Sequence, residues 1–229
     1  MNLIKIQKEL GNIFSLNDLA KLTGKNKKYL SVYLNNHLKK GNIHLLRKGW
    51  YYFEEFNKFL ISKTFPGTYI SLTSALEYYG FSTQRYINLE LCSLNQKKSQ
   101  KILDWRVDFI KIKKVNFFGY KKEMISGQEI LIADKEKLLI DCLLNQQIIV
   151  LEETNEYLTA VLNELNIEKL NEYLRKINSY ALNKRIGYLL EKQGIKLKLK
   201  INNKYDYLDL NKSKKNAVKN KKWKLLQND

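Results

Sequence analysis

Residues 15–53 read SLNDLAKLTGKNKKYLSVYLNNHLKKGNIHLLRKGWYYF, which is the pattern of two short helices followed by two strands. Ser15 is a favourable N-cap for a first helix, and Gly24 marks the point where the chain can turn sharply into a second helix. The apolar side of the first helix consists of Leu16, Leu19, Ala20 and Leu22. After Gly41, the sequence IHLLRKGWYYF has strand-type residues on both sides of a tight turn. This order of elements predicts a winged helix-turn-helix.

The second helix of this stretch has two distinct faces. Helical spacing places an apolar face on Leu30, Tyr33, Leu34, His37 and Leu38. The opposite face carries Lys27, Lys28, Ser31, Val32 and Asn35. Cations, a hydroxyl, methyl groups and an amide can contact phosphates and base edges in a major groove, and Arg47 and Lys48 at the turn can contact phosphates. We therefore predict that these seven residues bind DNA. The alternative is a winged helix used for protein contacts, with the lysines as a solvated face.

The composition favours an anionic partner. The 229 residues include 41 Lys and Arg against 23 Asp and Glu, which gives a formal net charge of +18. A field of this sign attracts nucleic acid. Lys, Asn, Ile and Tyr are all abundant, however, and an AT-rich genome produces the same bias. The charge thus supports double-stranded DNA as a partner without deciding the question.

Signals for catalysis, metals and membranes are absent from the sequence. Two cysteines, Cys92 and Cys142, and two histidines provide neither a zinc set nor a disulfide framework. No phosphate-binding glycine loop is present, so we expect no cofactor and no enzyme. An acid and lysine set around Asp108 and Asp134 weakly resembles that of a nuclease, but Asp134 is better explained as a helix cap. The chain has no membrane-span or signal-peptide pattern, which predicts a cytoplasmic protein.

The only proline, Pro66, followed by glycine, predicts a boundary between residues 1–64 and residues 65–229. Beyond it, strand-type stretches are predicted at residues 86–94, 106–114, 116–122 and 129–134. Helices are predicted after Asp134 and at about residues 155–165, 167–176 and 180–193. Two further strands are predicted on either side of a lysine-rich loop at residues 212–222. The predicted class is α+β, with a winged helix-turn-helix before a carboxy-terminal domain of a small sheet and several helices.

With these elements in order, the chain resembles the AbiEi family of antitoxins and transcriptional regulators from type IV toxin–antitoxin systems. The resemblance covers nearly the whole length. It depends on FSLNDLAKLTG, GNIHLLRKGWYYF, YISLTSALEYYGF, RVDFIKIKK, FFGYKK, IADKEKLLIDCLL, ALNKRIGYLLEKQG, YDYLDL and KWKLL. It implies an amino-terminal domain that binds operator DNA and represses its own operon. It also implies a carboxy-terminal domain that counteracts a nucleotidyltransferase-like toxin, a role in phage defence.

Two alternatives to this function remain open. One is a stand-alone winged-helix regulator without a toxin, which the identity of the neighbouring gene would distinguish. The other, more distant, is a nuclease.

Overall fold

The computed structural model describes residues 2–82 and 86–228. The chain combines helices with mixed sheets, so the α+β class predicted from the sequence is confirmed. It forms two compact units. The first comprises Met1–Ile70, Ile87–Lys111 and Lys122–Ile132, and the second comprises Ser71–Tyr86, Ile112–Lys121 and Ala133–Asp229. Pro66, where the sequence predicts a boundary, lies inside the first unit.

The first unit begins with the amino-terminal segment, residues 2–56. Its elements are helix α1 (Leu3–Leu10), strand β1 (Ile13–Ser15), helix α2 (Leu16–Thr23), helix α3 (Lys27–Lys39), and strands β2 (His44–Arg47) and β3 (Trp50–Tyr52). The three strands pair in the order β1-β3-β2, and both pairs are antiparallel.

Local signals explain where α2 and α3 begin and end. The Ser15 side chain accepts from the Asp18 N–H while the Asp18 carboxylate accepts from the Ser15 N–H, a capping box at the start of α2. Gly24 ends α2 at φ +66°, in the left-handed region that glycine tolerates best. The Asn26 side chain then caps α3. Leu19, Leu30 and Leu34 are fully buried in the core between the two helices.

A second sheet follows, and most of it lies in the same unit. A 3-10 helix (Lys58–Thr64) leads into strands β4 (Thr68–Ile70), β5 (Asn88–Ser93), β6 (Gln100–Ile102), β7 (Trp105–Lys111), β8 (Tyr120–Ile125) and β9 (Gln128–Ala133). The strand order is β6-β7-β5-β4-β9-β8. Strands β5 and β7 are parallel, as are β4 and β9, whereas β4 and β5 are antiparallel. The mixed sheet predicted from the sequence is therefore present, with β4 and β6 as additional short strands.

The second unit is mainly helical. It contains α4 (Leu72–Tyr78), a 3-10 helix (Lys114–Asn116), α5 (Lys135–Leu144), α6 (Leu151–Val161) with a 3-10 turn (Leu162–Glu164), α7 (Ile167–Ile177) and α8 (Tyr180–Lys192). Short strands β10 (Asp206–Tyr207), β11 (Val218–Asn220) and β12 (Leu225–Gln227) pair in the order β10-β12-β11. Strand β11 lies within residues 212–222, which the sequence pattern predicts as a loop, because its pairing with β12 is not visible in local composition.

Helix α8 anchors this carboxy-terminal sheet through buried polar groups. The Lys184 ammonium group, with a fully buried side chain, donates to Asn202 Oδ1 at 2.7 Å and to Asp206 Oδ2 at 2.6 Å. Gly187 makes room for the ring of Trp223, because a Cβ at this position would lie 2.2 Å from ring carbons. Within the described residues, no helix is both long enough and apolar enough to cross a bilayer.

Candidate nucleic-acid interface

The exposed face of α3 contains most of the residues that the sequence analysis singled out. Lys27, Lys28, Val32 and Asn35 are exposed, and Ser31 is half-buried. Val32 keeps 61% of its surface exposed. The buried side of the helix carries Leu30 and Leu34, as the helical spacing predicted. The two faces of α3 are therefore arranged as expected.

The structure adds two residues to this face that the sequence analysis missed. Tyr29 is 52% exposed, and the Lys25 ammonium group lies 4.7 Å from the centroid of its ring. Asn36 is also exposed, beside Asn35. The signal that could have found Tyr29 is its spacing, because it lies three residues before Val32 and four after Lys25. The exposed face of α3 is therefore turned slightly toward Tyr29 and away from Ser31, compared with the face predicted from the sequence.

The two residues predicted at the hairpin turn have different environments. Lys48 is exposed, next to Gly49 at φ +80°. Arg47 is half-buried: its guanidinium group lies 4.3 Å from the centroid of the Phe65 ring and donates to the Thr64 carbonyl at 3.3 Å. Burial lowers the pKa of Arg47. Lys48 can therefore approach a phosphate, whereas the Arg47 side chain already contacts Thr64 and Phe65.

His37 lies at the edge of the core. Its Nδ1 is 3.1 Å from Asn42 Nδ2, and its ring lies 4.4 Å from the ring of Tyr33. Burial, with a further contribution from the nearby charge of Lys40, lowers the pKa of His37. These effects favour the neutral form of the imidazole.

The electrostatic character of this surface follows from its composition. Residues 19–53 contain no Asp or Glu. Their cations are Lys21, Lys25, Lys27, Lys28, Lys39, Lys40, Arg47 and Lys48. An excess of cations of this kind attracts a polyanion and makes binding depend on salt.

A buried glutamine in the larger sheet positions the amino-terminal segment within the first unit. Gln128, which is 3% exposed, accepts from the Ile13 N–H at 3.0 Å and donates to the carbonyl oxygens of Ile13 at 2.7 Å and Leu10 at 3.0 Å. The Gln128 side chain therefore satisfies both backbone polar groups of Ile13, as the backbone of a neighbouring strand would. Gly11, at φ +77°, is required at this contact because a Cβ would lie 2.4 Å from the Gln128 side chain.

Asp108 and Asp134, the acids of the nuclease-like set, make contacts within the fold. Asp108 accepts from Arg106 Nε at 2.8 Å and from Ser99 Oγ at 2.5 Å. Asp134 is the N-cap of α5, as the sequence predicted, and accepts from the Lys137 N–H at 2.8 Å. In the part of the chain that the structure describes, no three His, Cys, Asp or Glu side chains are grouped so as to hold a metal ion.

Comparisons with known proteins bear on the fold alone. No protein-family model matches the chain, and no curated protein matches it. Among solved structures, the crystal structure of the Rv2827c protein from Mycobacterium tuberculosis is similar, with a TM-score of 0.61 over 94% of this chain and 86% of that one. The two sequences are 12% identical. The chain therefore shares an overall fold with Rv2827c.

Proposed function

We propose that this protein is a sequence-specific DNA-binding transcriptional repressor whose amino-terminal segment is a winged helix-turn-helix. The observation that supports it is the exposed face of α3, where Lys28, Val32 and Asn35 lie together in a region without acids. With 13 residues, α3 is about 20 Å long, a length that a major groove accommodates. Helix α3 is the recognition helix of this proposal, and the β2–β3 hairpin is its wing.

Each part of the surface has a distinct chemical role in this proposal. The Lys28 ammonium group near the start of α3 and the Lys48 ammonium group at the wing tip neutralise phosphates and set the register. The Asn35 amide donates to and accepts from an adenine edge, the pairing that amide side chains make in a major groove. Val32 contacts a thymine methyl group. Affinity therefore comes mainly from the lysines, and sequence preference from Val32 and Asn35.

The proposal extends to an antitoxin that represses its own operon. Its support is the resemblance of the chain to AbiEi antitoxins, whose motifs extend from FSLNDLAKLTG to KWKLL. In this function the residues beyond the amino-terminal segment counteract a nucleotidyltransferase-like toxin encoded beside the gene. A stand-alone regulator is the second candidate, and the same DNA-binding face supports it. Growth of cells that express the neighbouring gene, with and without this protein, separates the two.

The DNA-binding proposal is tested by fluorescence anisotropy with a duplex from the upstream region and a shuffled duplex of the same composition. We expect tighter binding to the first duplex and a steep loss of affinity as salt rises. Lys28→Glu combined with Lys48→Glu should abolish binding to both duplexes. The control is Lys101→Glu. Lys101 is exposed on β6, outside the proposed interface, and this substitution also makes the net charge of the protein less positive. Undiminished binding by the double variant would refute the proposed interface.

A further inference from the structure

A cavity in the second unit lies between helix α7, the start of α8 and the extended residues 198–200. Its volume is about 260 Å³. The polar side chains that line it are Asn171, Arg175, Asn178, Asn183, Lys198 and Lys200. Leu174 and Leu199 supply an apolar part of the wall. The lining therefore combines charged and amide groups with an apolar surface at least as large, a mixture found in ligand sites.

The charge of the lining has one sign. Arg175, Lys198 and Lys200 are cationic, and no Asp or Glu is among the described residues that line the cavity. The exposed side chains of Arg175 and Lys198 make no hydrogen bond or ion pair with any residue that the structure describes. The Lys200 ammonium group lies 5.9 Å from the centroid of the Tyr180 ring. Cations collected without counter-charges favour an anion, and the planar guanidinium group of Arg175 suits a phosphate in particular.

The amides of the cavity indicate that the ligand is more than a bare phosphate. The Asn171 and Asn178 side chains have no hydrogen-bond partner among the described residues. Asn178 ends α7 in the left-handed conformation, at φ +51°. An amide both donates and accepts, so two free amides suit a ligand whose edges carry both kinds of group. The cavity is slightly smaller than the roughly 300–1,000 Å³ usual for drug-sized ligands, which suits one compact organic phosphate.

Asn183 adds a second and independent observation. Its Nδ2 donates to the Lys200 carbonyl at 2.9 Å and so fixes the chain that carries Lys198 and Lys200. Its Oδ1 is buried and accepts no hydrogen bond from the described residues, although Asn183 is 6% exposed. Buried acceptors of this kind are normally satisfied, so one that is not needs an explanation, such as an ordered water molecule or a bound group. A ligand N–H group would satisfy this one.

We propose that this cavity binds a nucleotide, with its phosphate group on Arg175 and Lys198 and its base edge on the asparagine amides. The ligand can be a free nucleoside monophosphate or the terminal nucleotide of a strand, because both present the same chemistry. This site is separate from the DNA-binding face of α3, and its test does not depend on that function.

Isothermal titration calorimetry of the full-length protein tests the proposal. The probes are AMP, GMP, CMP and UMP, the four unphosphorylated nucleosides, inorganic phosphate, and single-stranded trinucleotides with and without a 5′-phosphate. We expect at least one monophosphate to bind with one-to-one stoichiometry, more tightly than its nucleoside or inorganic phosphate. Tighter binding of the phosphorylated trinucleotide than of the monophosphate would identify a strand end as the source.

Two charge reversals on α7 locate the site. Arg175→Glu should weaken nucleotide binding at least about tenfold, because it replaces a charge-assisted hydrogen bond with repulsion. Lys176→Glu is the matched control, since Lys176 is exposed but does not line the cavity, and its ammonium group lies 4.0 Å from the Phe118 ring centroid. Thermal melting of both variants verifies that they are folded. The proposal is overturned if no nucleotide binds, if phosphate alone binds equally well, or if both reversals weaken binding equally.

Discussion

Val32 is the exposed aliphatic residue of the proposed DNA interface. Val32 is 61% exposed, so its methyl groups are available to contact a thymine methyl group. Uracil in place of thymine at the contacted position should weaken wild-type binding by about 0.8 kcal/mol, close to fourfold, because one methyl group loses its contact. Val32→Ala should bind both duplexes alike. Competition with a set of single thymine-to-uracil duplexes measures this. Sensitivity to uracil that persists in Val32→Ala would assign the contact to another side chain, with Tyr29 as the next candidate.

Substitutions of the adjacent residues Arg47 and Lys48 should have different effects, the first on the stability of the protein and the second on its affinity for DNA. Arg47→Ala removes the stacking on Phe65 and the hydrogen bond to Thr64, so we expect a loss of about 1 kcal/mol in the free energy of unfolding. Lys48→Ala should leave stability unchanged but reduce the slope of log affinity against log salt by about 1, the contribution of one phosphate contact. Urea denaturation and a salt titration measure the two effects. The reverse pattern would show that Arg47 leaves Phe65 to contact DNA.

At the level of elements, helices α5 and α7 of the second unit are joined by an ion-pair cluster. The Lys169 ammonium group lies 2.9 Å from Glu136 Oε2 and 3.1 Å from Asp134 Oδ2, and Glu136 Oε1 accepts from the Asn166 N–H at 2.8 Å. Burial raises the pKa of Glu136, but the hydrogen bonds from Lys169 and Asn166 outweigh it and lower the pKa overall. The same contacts raise the pKa of Lys169 against the effect of burial, so both groups are charged at pH 7.

The pH dependence of stability follows from the sign of these shifts. The pKa of Glu136 is lower in the folded protein than the value of about 4.3 in the unfolded chain. Its contribution is therefore complete above about pH 5 and is lost as the pH falls through the folded-state pKa. Glu136→Gln should cost about 1–2 kcal/mol at pH 7 and progressively less below pH 4. Urea denaturation of both proteins at several pH values measures this. A constant difference between them would show that the carboxylate charge has no part in joining the helices.

The sequence predicts elements well where their signals are local. Helices α2 and α3 have caps at Ser15 and Asn26 and apolar residues at helical spacing, so their positions and inner faces could be predicted. Strands β4 and β6 have three residues each and depend on partners distant in sequence, so no local pattern indicates them. The same reason applies to the candidate site. Lys28, Val32 and Lys48 could be recognised from spacing, but the engagement of Arg47 depends on Phe65, 18 positions further along the chain.

At the scale of the whole molecule, the first unit holds the amino-terminal segment and most of the larger sheet in one compact body. Gln128 supplies three hydrogen bonds to the backbone of Leu10 and Ile13. The Phe56 ring lies 5.9 Å from the Trp105 ring. The 3-10 helix that follows buries Phe59, Leu60 and Ile61. A fragment that ends at residue 64 would leave these backbone groups without partners and expose this apolar surface to water.

We therefore expect a fragment of residues 1–64 to be largely unfolded at 25 °C, although it contains all of α3 and the β2–β3 hairpin. In the full-length protein, the amino-terminal segment and the larger sheet should unfold in one cooperative transition, since the buried Gln128 contacts couple them. Circular dichroism of the fragment and hydrogen exchange of the full chain measure this, with Gln128→Ala expected to reduce protection of residues 10–14 most. A fragment that melts cooperatively at the temperature of the full chain would instead make residues 1–64 an independent folding domain. The boundary predicted at Pro66 would then mark the end of a domain that folds alone, and DNA binding could be measured on the fragment without the rest of the chain.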